Sequence, residues 1–254
     1  MLYYARYGIF GSVNLSWGRV FVMRKFTKLT AALICLSLAL TFTVTAFAEE
    51  KAHERRIRMA GELIREMTAM SDADSLAQVI KSGKGVAIFP SVTKAGLIVG
   101  GQVGEGLVFL RKPDGTWSGP AFMGISGASI GLQIGAQSVG LVLVITNEAG
   151  LRAFTGGNSF KLGGDVAIAA GPVGRDASAA TDARAKAAIY SYSISKGLFA
   201  GISLEGSVIN QNRDANKAYW GRDMSANTAL KKPATDKRVA PLIKNIKALI
   251  AKAG

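Results

Sequence analysis

The sequence predicts an α+β fold: an antiparallel, β-rich core with glycine-rich strands and an amphipathic helix at each end. Three observations carry this. From Gly127 to Gln137, apolar residues (Ala128, Ile130, Leu132, Ile134, Ala136) hold the even positions, and Gly, Ser or Gln the odd ones. A period of two belongs to a strand. Leu141 to Ile145 is an unbroken apolar run, the pattern of a strand covered on both faces. Towards the two ends the period becomes helical, with Ile57, Ala60, Ile64 and Met67 in one stripe and Leu242, Ile243, Ile246, Leu249 and Ile250 in another.

Lys51 to Met70 reads as the first helix. Leu63 and Met70 flank its apolar stripe, and Arg55, Arg58, Glu62 and Arg65 repeat on another face. Glu54 and Arg58 are spaced to pair at i,i+4. Ser71 or Asp72 then caps a short helix through Leu76, Val79 and Ile80, which Gly83 ends. Gly85 to Pro90 is a strand stopped by its proline, and Leu97–Val99 and Gly106–Leu110 are two more. Lys112-Pro113-Asp114-Gly115 is a turn, and Trp117 opens the next strand.

Gly127, Gly131 and Gly135 also spell G-x-x-x-G twice, the spacing of transmembrane helix dimers. The clean alternation, Gln133 and Gln137 reject that helix. A glycine face on a strand instead admits another backbone at close range. Glu148–Phe154 is a short helix, Asp165–Ala169 a strand, Pro172–Asp182 a loop and Asp182–Ala188 a helical turn. Ile189–Ser193 is a strand. Ala200–Val208 repeats the period of two, and Arg213–Trp220 is helical. Pro233 starts a linker to the last helix, whose Lys244 and Lys247 lie opposite its apolar stripe.

The N-terminus reads as an export signal. Met23-Arg24-Lys25-Phe26-Thr27-Lys28 is positively charged, Leu29 to Val44 is apolar, and Ala46-Phe47-Ala48 precedes Glu49-Glu50. This is the n-region, h-region and A-x-A order of a secretory signal. The rival is a retained anchor, since the uncharged stretch to Ala48 is long enough to span a bilayer. The small-x-small site followed at once by acids favours cleavage. The expected organisation is an over-extended start at 1–22, a signal peptide at 23–48, a domain at 49–232, and a linker with the C-terminal helix at 233–254. Cys35, the single cysteine, lies in the apolar region behind Ile34, so neither a lipid anchor nor a disulfide is expected. The expected location is periplasmic or secreted, peripheral to a membrane.

The chain has 31 Lys and Arg against 17 Asp and Glu; five of the bases and none of the acids precede Glu49, leaving an excess of nine positive charges beyond it. Such a domain suits anionic surfaces: lipid head groups, cell-wall polymers or nucleic acid. Catalytic chemistry is poorly supplied. His53 is the single histidine, and with no cysteine in the domain no Cys/His nucleophile or His-rich metal site can be built. No phosphate-binding G-x-x-x-x-G-K occurs. Asp165 and Glu205 fall on glycine-rich segments that read as strands, and could form an acid pair. A structural role, pairing with Arg175 or capping backbone amides, is the expected one. Trp117, Phe122, Tyr192, Phe199, Tyr219 and Trp220 are not interleaved with cations along one strand, so a nucleic-acid surface is not expected. The reading is of no enzyme, no cofactor and no metal.

Six stretches in order resemble the SYLF domain: Gly85-Val86-Ala87-Ile88-Phe89-Pro90, Trp117-Ser118-Gly119-Pro120-Ala121-Phe122, Gly131-Leu132-Gln133-Ile134-Gly135-Ala136-Gln137, Ala169-Ala170-Gly171-Pro172-Val173-Gly174-Arg175, Tyr190-Ser191-Tyr192-Ser193, and Lys196 to Gly206. The likeness covers roughly 60–230. Where the family often has a basic residue, this chain has Ile194. The resemblance implies phospholipid binding, with phosphoinositides preferred by eukaryotic members, a preference not expected to transfer to a bacterial periplasm. It also implies contact through an amphipathic N-terminal helix and basic residues. The expected lipid-binding residues are therefore Arg55, Arg56, Arg58, Arg65, Lys81 and Lys84, with Ile57, Leu63 and Ile64 inserting into the membrane interface. The expected partner is an anionic phospholipid surface. The alternatives are an envelope scaffold that binds another protein and, behind it, a carboxylate-based hydrolase.

Overall fold

The computed structural model describes residues 52–96, 99–130, 135–172, 187–195, 198–199 and 203–253. The expected signal peptide, Gly131, Arg175 and most of the expected 172–188 loop and turn lie outside these residues. Residues 49–254 fold as one unit.

Among the described residues nine strands form one sheet: β1 (Gly85–Gly96), β2 (Val99–Arg111), β3 (Trp117–Ile130), β4 (Gly135–Ile145), β5 (Ser159–Lys161), β6 (Ile168–Ala170), β7 (Ile189–Ser195), β8 (Leu198–Phe199) and β9 (Val208–Gln211). The order is β5-β9-β3-β2-β1-β4-β7-β6, with β8 paired to β7. Every pairing is antiparallel except β6 with β7. Helices α1 (52–68), α2 (Ala73–Ser82), α3 (Glu148–Thr155), α4 (Arg213–Trp220), α5 (Ala226–Leu230) and α6 (Ala240–Ile250) complete the α+β fold.

The sheet is buried on both faces, because its central strands alternate between two apolar clusters. Val142 and Val144 of β4 join Val86, Ile88, Leu107, Phe109 and Phe122 against α1, α2 and α6. Leu141, Leu143 and Ile145 of the same strand join Phe89, Val108, Met123, Phe154 and Ile209 on the other side. The apolar run thus splits residue by residue between two cores. The helix caps follow from short polar side chains: Asn147 Oδ1 accepts from the amides of Ala149 and Gly150 at the start of α3, and Asn212 Oδ1 from Ala215 N at the start of α4.

Several expectations are corrected. Pro90 does not stop β1, which runs on to Gly96; the proline sits where the register shifts against both neighbours, between Ile88 and Ser91 on one side and Phe89 and Val92 on the other. A bulge releases ladder amides, so a proline is tolerated there. The period-two segment around 125–137 is not one strand: its described parts belong to β3 and β4, which β2 and β1 separate in the sheet. Alternation alone does not reveal where a chain leaves one strand and enters another. Residues 203–207 are not extended, with a turn at Glu205 and Gly206, and the strand starts at Val208. Gly206 has φ +82°, a left-handed conformation that ends a strand and suits glycine. Of the expected 165–169 strand, Asp165 lies in a turn, Val166 makes an isolated bridge to Leu162, and β6 begins at Ile168 and runs to Ala170. Asp72 is the N-cap of α2 by position but its side chain makes no cap bond.

Gly127 does face a close backbone: a Cβ there would lie 2.7 Å from Ser207 Oγ and 2.9 Å from Ser207 Cα. The segment from Pro233 packs on the edge of β3, with Ala234 N donating to Trp117 O at 2.9 Å and Gly119 N to Lys232 O at 2.8 Å. It delivers α6 into the helical side of the core.

Candidate functional site

Helix α1 buries Ile57, Ala60, Leu63, Ile64 and Met67, none more than 5% exposed. Spacing of three and four sets that face, and the apolar sheet face pulls it in. This corrects the expectation that Ile57, Leu63 and Ile64 stand ready to enter a membrane: in this fold they are core. Arg56 is likewise buried, at 9% exposure. It pairs with Glu105 of β2 and lies 5.6 Å from the Phe122 ring centre. Glu105 Oε1 also accepts from Asn212 Nδ2 at 2.7 Å. Arg56 therefore ties α1 to β2 and the start of α4 and is not a surface cation. His53 is 1% exposed and meets Phe122 and Tyr219 edge-on at 6.1 and 5.8 Å.

The remaining α1 arginines, Arg55, Arg58 and Arg65, are exposed. So are Glu54, Glu62 and Glu66 on the same helix, and Arg58 Nη1 meets Glu62 Oε1 at 2.9 Å. The exposed charges of α1 thus cancel, and the helix is not a net cationic surface. Lys81 and Lys84 are engaged elsewhere: Lys81 Nζ donates to Ala253 O at 3.1 Å, and Lys84 Nζ pairs with Glu148 Oε1 at 2.8 Å. Lys84 precedes β1 while Arg55 lines a cleft with Ser91 and Thr93 farther along it. At about 3.3 Å per strand residue the two are roughly 20 Å apart, so the six expected basic residues do not form one patch.

The cationic excess sits at the C-terminus. Lys231, Lys232, Lys237, Arg238, Lys244, Lys247 and Lys252 share their segment with one acid, Asp236. Lys231, Lys237, Lys244, Lys247 and Lys252 are exposed, because Leu242, Ile243, Ile246 and Leu249 take the buried face of α6. Arg238 is fixed: it bonds both Asp236 oxygens, at 2.7 to 3.1 Å, donates to Tyr219 O at 3.1 Å and lies 3.9 Å over the Tyr219 ring. Its hydrogen bonds hold the Asp236 carboxyl down at about 2, and burial pushes the Tyr219 hydroxyl up.

Two clefts flank α1. One, about 480 Å³, lies against the bulged end of β1 and β2, lined by Arg55, Arg56, Met59, Ser91, Val103 and Glu105. The other, about 430 Å³, separates α1 from α6 and is lined by Arg58, Gly61, Arg65, Arg238, Leu242 and Asn245 among others. Sequence reasoning missed Gly61, Glu105, Arg238 and Asn245 here. The charge count after Pro233 was the readable signal for the C-terminal cations; nothing in the sequence joined Arg238 to α1.

Asp165 and Glu205 each lie in a turn. Asp165 Oδ2 accepts from Lys161 N at 2.8 Å, closing a turn, and Glu205 lies in the turn before β9. Among the described residues no cluster of His, Cys, Asp and Glu could hold a metal, and no helix is long and apolar enough to cross a membrane. Ile194, at the position where a basic residue is common in the resembled family, is buried at 3% exposure.

Residues 126–249 match the family described as Ysc84, Las17-binding protein actin regulator. The chain is 38% identical over 171 residues to SH3 domain-containing YSC84-like protein 1 of Xenopus laevis, covering 65% of this chain and 51% of that protein. It is 42% identical over 154 residues to the SH3 domain-containing protein PJ696.02 of Schizosaccharomyces pombe, covering 60% and 36%. LAS seventeen-binding protein 3 of Saccharomyces cerevisiae is 40% identical over 154 residues, covering 60% and 33%. The chain spans about half the length, or less, of these curated relatives.

Proposed function

The chain belongs to the Ysc84 (SYLF) family, and from that premise we propose that its 49–254 unit is an exported, non-catalytic protein that docks on anionic phospholipid at the cell envelope. The observation that carries this reading is the uneven charge. Five exposed lysines (Lys231, Lys237, Lys244, Lys247 and Lys252) share the segment around α6 with a single acid, whereas the exposed charges of α1 balance. Each lysine near an anionic bilayer contributes about 1 kcal/mol, so four acting together are worth roughly a thousandfold in partitioning. Export supports the setting, through the Met23–Ala48 pattern.

Vesicle flotation tests it. The 49–254 protein is expected to float with vesicles holding anionic phospholipid and not with purely zwitterionic ones, and added salt should weaken the association as exposed charges are screened. Reversing Lys237, Lys244, Lys247 and Lys252 to Glu should abolish flotation. Reversing Arg55, Arg58 and Arg65 should reduce it less, because those arginines share α1 with three exposed acids. Equal flotation of the lysine variant and the wild type would refute the assignment to α6.

A second reading has its own support. The names of the family and of the yeast relative describe binding to another protein, so an envelope scaffold with a protein partner is the alternative. Failure of the wild type to float with any anionic mixture would select it.

A further inference from the structure

The sheet outruns the helices that cover it. Past the bulge at Pro90, β1 and β2 stay paired from Ser91 and Glu105 to Gly96 and Gly100, and β2 stays paired with β3 as far as Ile130. Alternation divides the side chains of this extension between two faces. One face carries Val92, Gln102, Gly104 and Ile125, all buried. The other, on the side of α1, carries Thr93, Ala95, Gly101, Val103, Ser126 and Ala128, all exposed. Val103 stands at its centre, between Thr93 and Ser126. At 60% exposure it is the one large hydrophobic residue left exposed among the described residues. The residues around it are short, so another backbone can approach closely. Helix α1 reaches the border of this face, where Arg55 and Met59 line the cleft of about 480 Å³ with Pro90, Ser91, Thr93 and Val103. The cleft has a cation to spare. Glu105 is engaged by Arg56 and, through its other oxygen, by Asn212, while Arg55 makes no ion pair among the described residues.

We infer that this bare face takes a short acidic amphipathic helix of a partner protein, laid beside α1 with its apolar stripe on Val103 and a carboxylate at Arg55. A helix is the form that fits. Elsewhere on the same side the sheet is covered by α1, α2 and α6, and the partner would continue that layer. From Ser91 to Gly96 the extension measures roughly 17 Å, about three helical turns. Docking of this kind reads apolar anchors spaced three and four apart. The arginine that lacks an acid selects a negatively charged helix over a positive one. The site lies on the sheet and the first turns of α1. It goes beyond the membrane reading and uses none of the α6 lysines assigned to it.

Fluorescence anisotropy on the 49–254 unit tests it, with a labelled peptide made of two repeats of Glu-Ala-Leu-Leu-Ala-Glu-Ala. This acidic peptide should bind, and its counterpart with Lys for every Glu should bind at least tenfold more weakly. Val103→Lys should weaken the acidic peptide about tenfold, as loss of a central anchor does. That variant adds a cation, so its loss of affinity is not one of charge. Because Val103 is exposed, the variant should melt with the wild type. Arg55→Glu reads the same site if it does not, and should also weaken the acidic peptide about tenfold. Reversing Lys237, Lys244, Lys247 and Lys252 to Glu should leave the peptide bound through the bare face. Failure of the wild type to bind the acidic peptide overturns the site. So does wild-type affinity in a folded Val103→Lys protein, or equal affinity for the two peptides. Release of the peptide by the lysine reversals alone would put it on α6 and overturn the site, while flotation still decides the phospholipid reading separately.

Discussion

Asn216→Ala tests how the outer edge of β3 is held. Asn216 lies in α4, completely buried. Its Oδ1 accepts from Phe122 N at 2.8 Å, and its Nδ2 donates to Phe122 O at 3.1 Å. The amide side chain stands where a peptide of a neighbouring strand would, because β9 pairs with β3 only from Met123 to Ser126. In the alanine variant Phe122 O keeps a donor, Asn212 N at 3.0 Å. Phe122 N loses its acceptor in a dry site, which costs about 1–3 kcal/mol. The small void adds to this, for a total of about 2–4 kcal/mol. In a unit of this size each kcal/mol moves Tm by about 2–4 °C, so the midpoint should fall by roughly 5–15 °C. Thermal melts and urea titrations read it, with Trp117 and Trp220 as reporters near this edge. Asn216→Asp is the sharper control: it keeps the acceptor for Phe122 N but aims a second acceptor at Phe122 O, and should cost at least as much at neutral pH. An alanine variant that melts within a degree of wild type, or an aspartate variant equal to it, would refute the argument.

Gly127→Val should cost about 1–3 kcal/mol by overpacking, since its Cβ would press on Ser207 Oγ and Cα at 2.7 and 2.9 Å; an unchanged urea midpoint would mean that the 203–207 segment yields freely. Ile64→Ala should cost about 2–5 kcal/mol, because Ile64 is wholly buried; a variant of wild-type stability with impaired flotation would restore it as a membrane-inserting residue. The Arg238 hydrogen bonds depress the Asp236 carboxyl to about 2 in the folded chain, from 3.8. The stability this contributes is present above pH 4 and is lost as pH falls through 2. The gap in urea midpoint between wild type and Asp236→Asn should therefore narrow over that window, and a gap independent of pH would remove the ion pair as its cause.

Much of the fold was legible because period encodes burial. The two-sided burial of Leu141–Ile145, the buried stripe of α1 and that of α6 follow from side-chain spacing alone. Where one chain leaves a strand is not encoded that way. The alternation around Gly127–Gln137 continues in phase from β3 into β4, and Ala200–Val208 alternates although a glycine turn precedes β9. Pro90 reads as a stop, yet a bulge at that point takes the proline in. The candidate site was legible in composition and not in place: arginines at 55, 58 and 65 stood out, but the acids at 54, 62 and 66 balance them once all six prove exposed.

Residue order by itself determined the β-rich core between two amphipathic helices and the cationic excess after Pro233, since each depends on local spacing or simple count. Only the tertiary structure decided that Arg56 is a core tie, that Ile57, Leu63 and Ile64 are already spent on the sheet, and that α6 returns to lie beside α1. Those outcomes depend on which surfaces meet across almost two hundred residues of chain. Asn245 of α6 donating to Gly61 O of α1 at 3.0 Å is such a contact: neither residue carries a local signal for the other, and the cleft between them exists only because two apolar stripes seek the same sheet face.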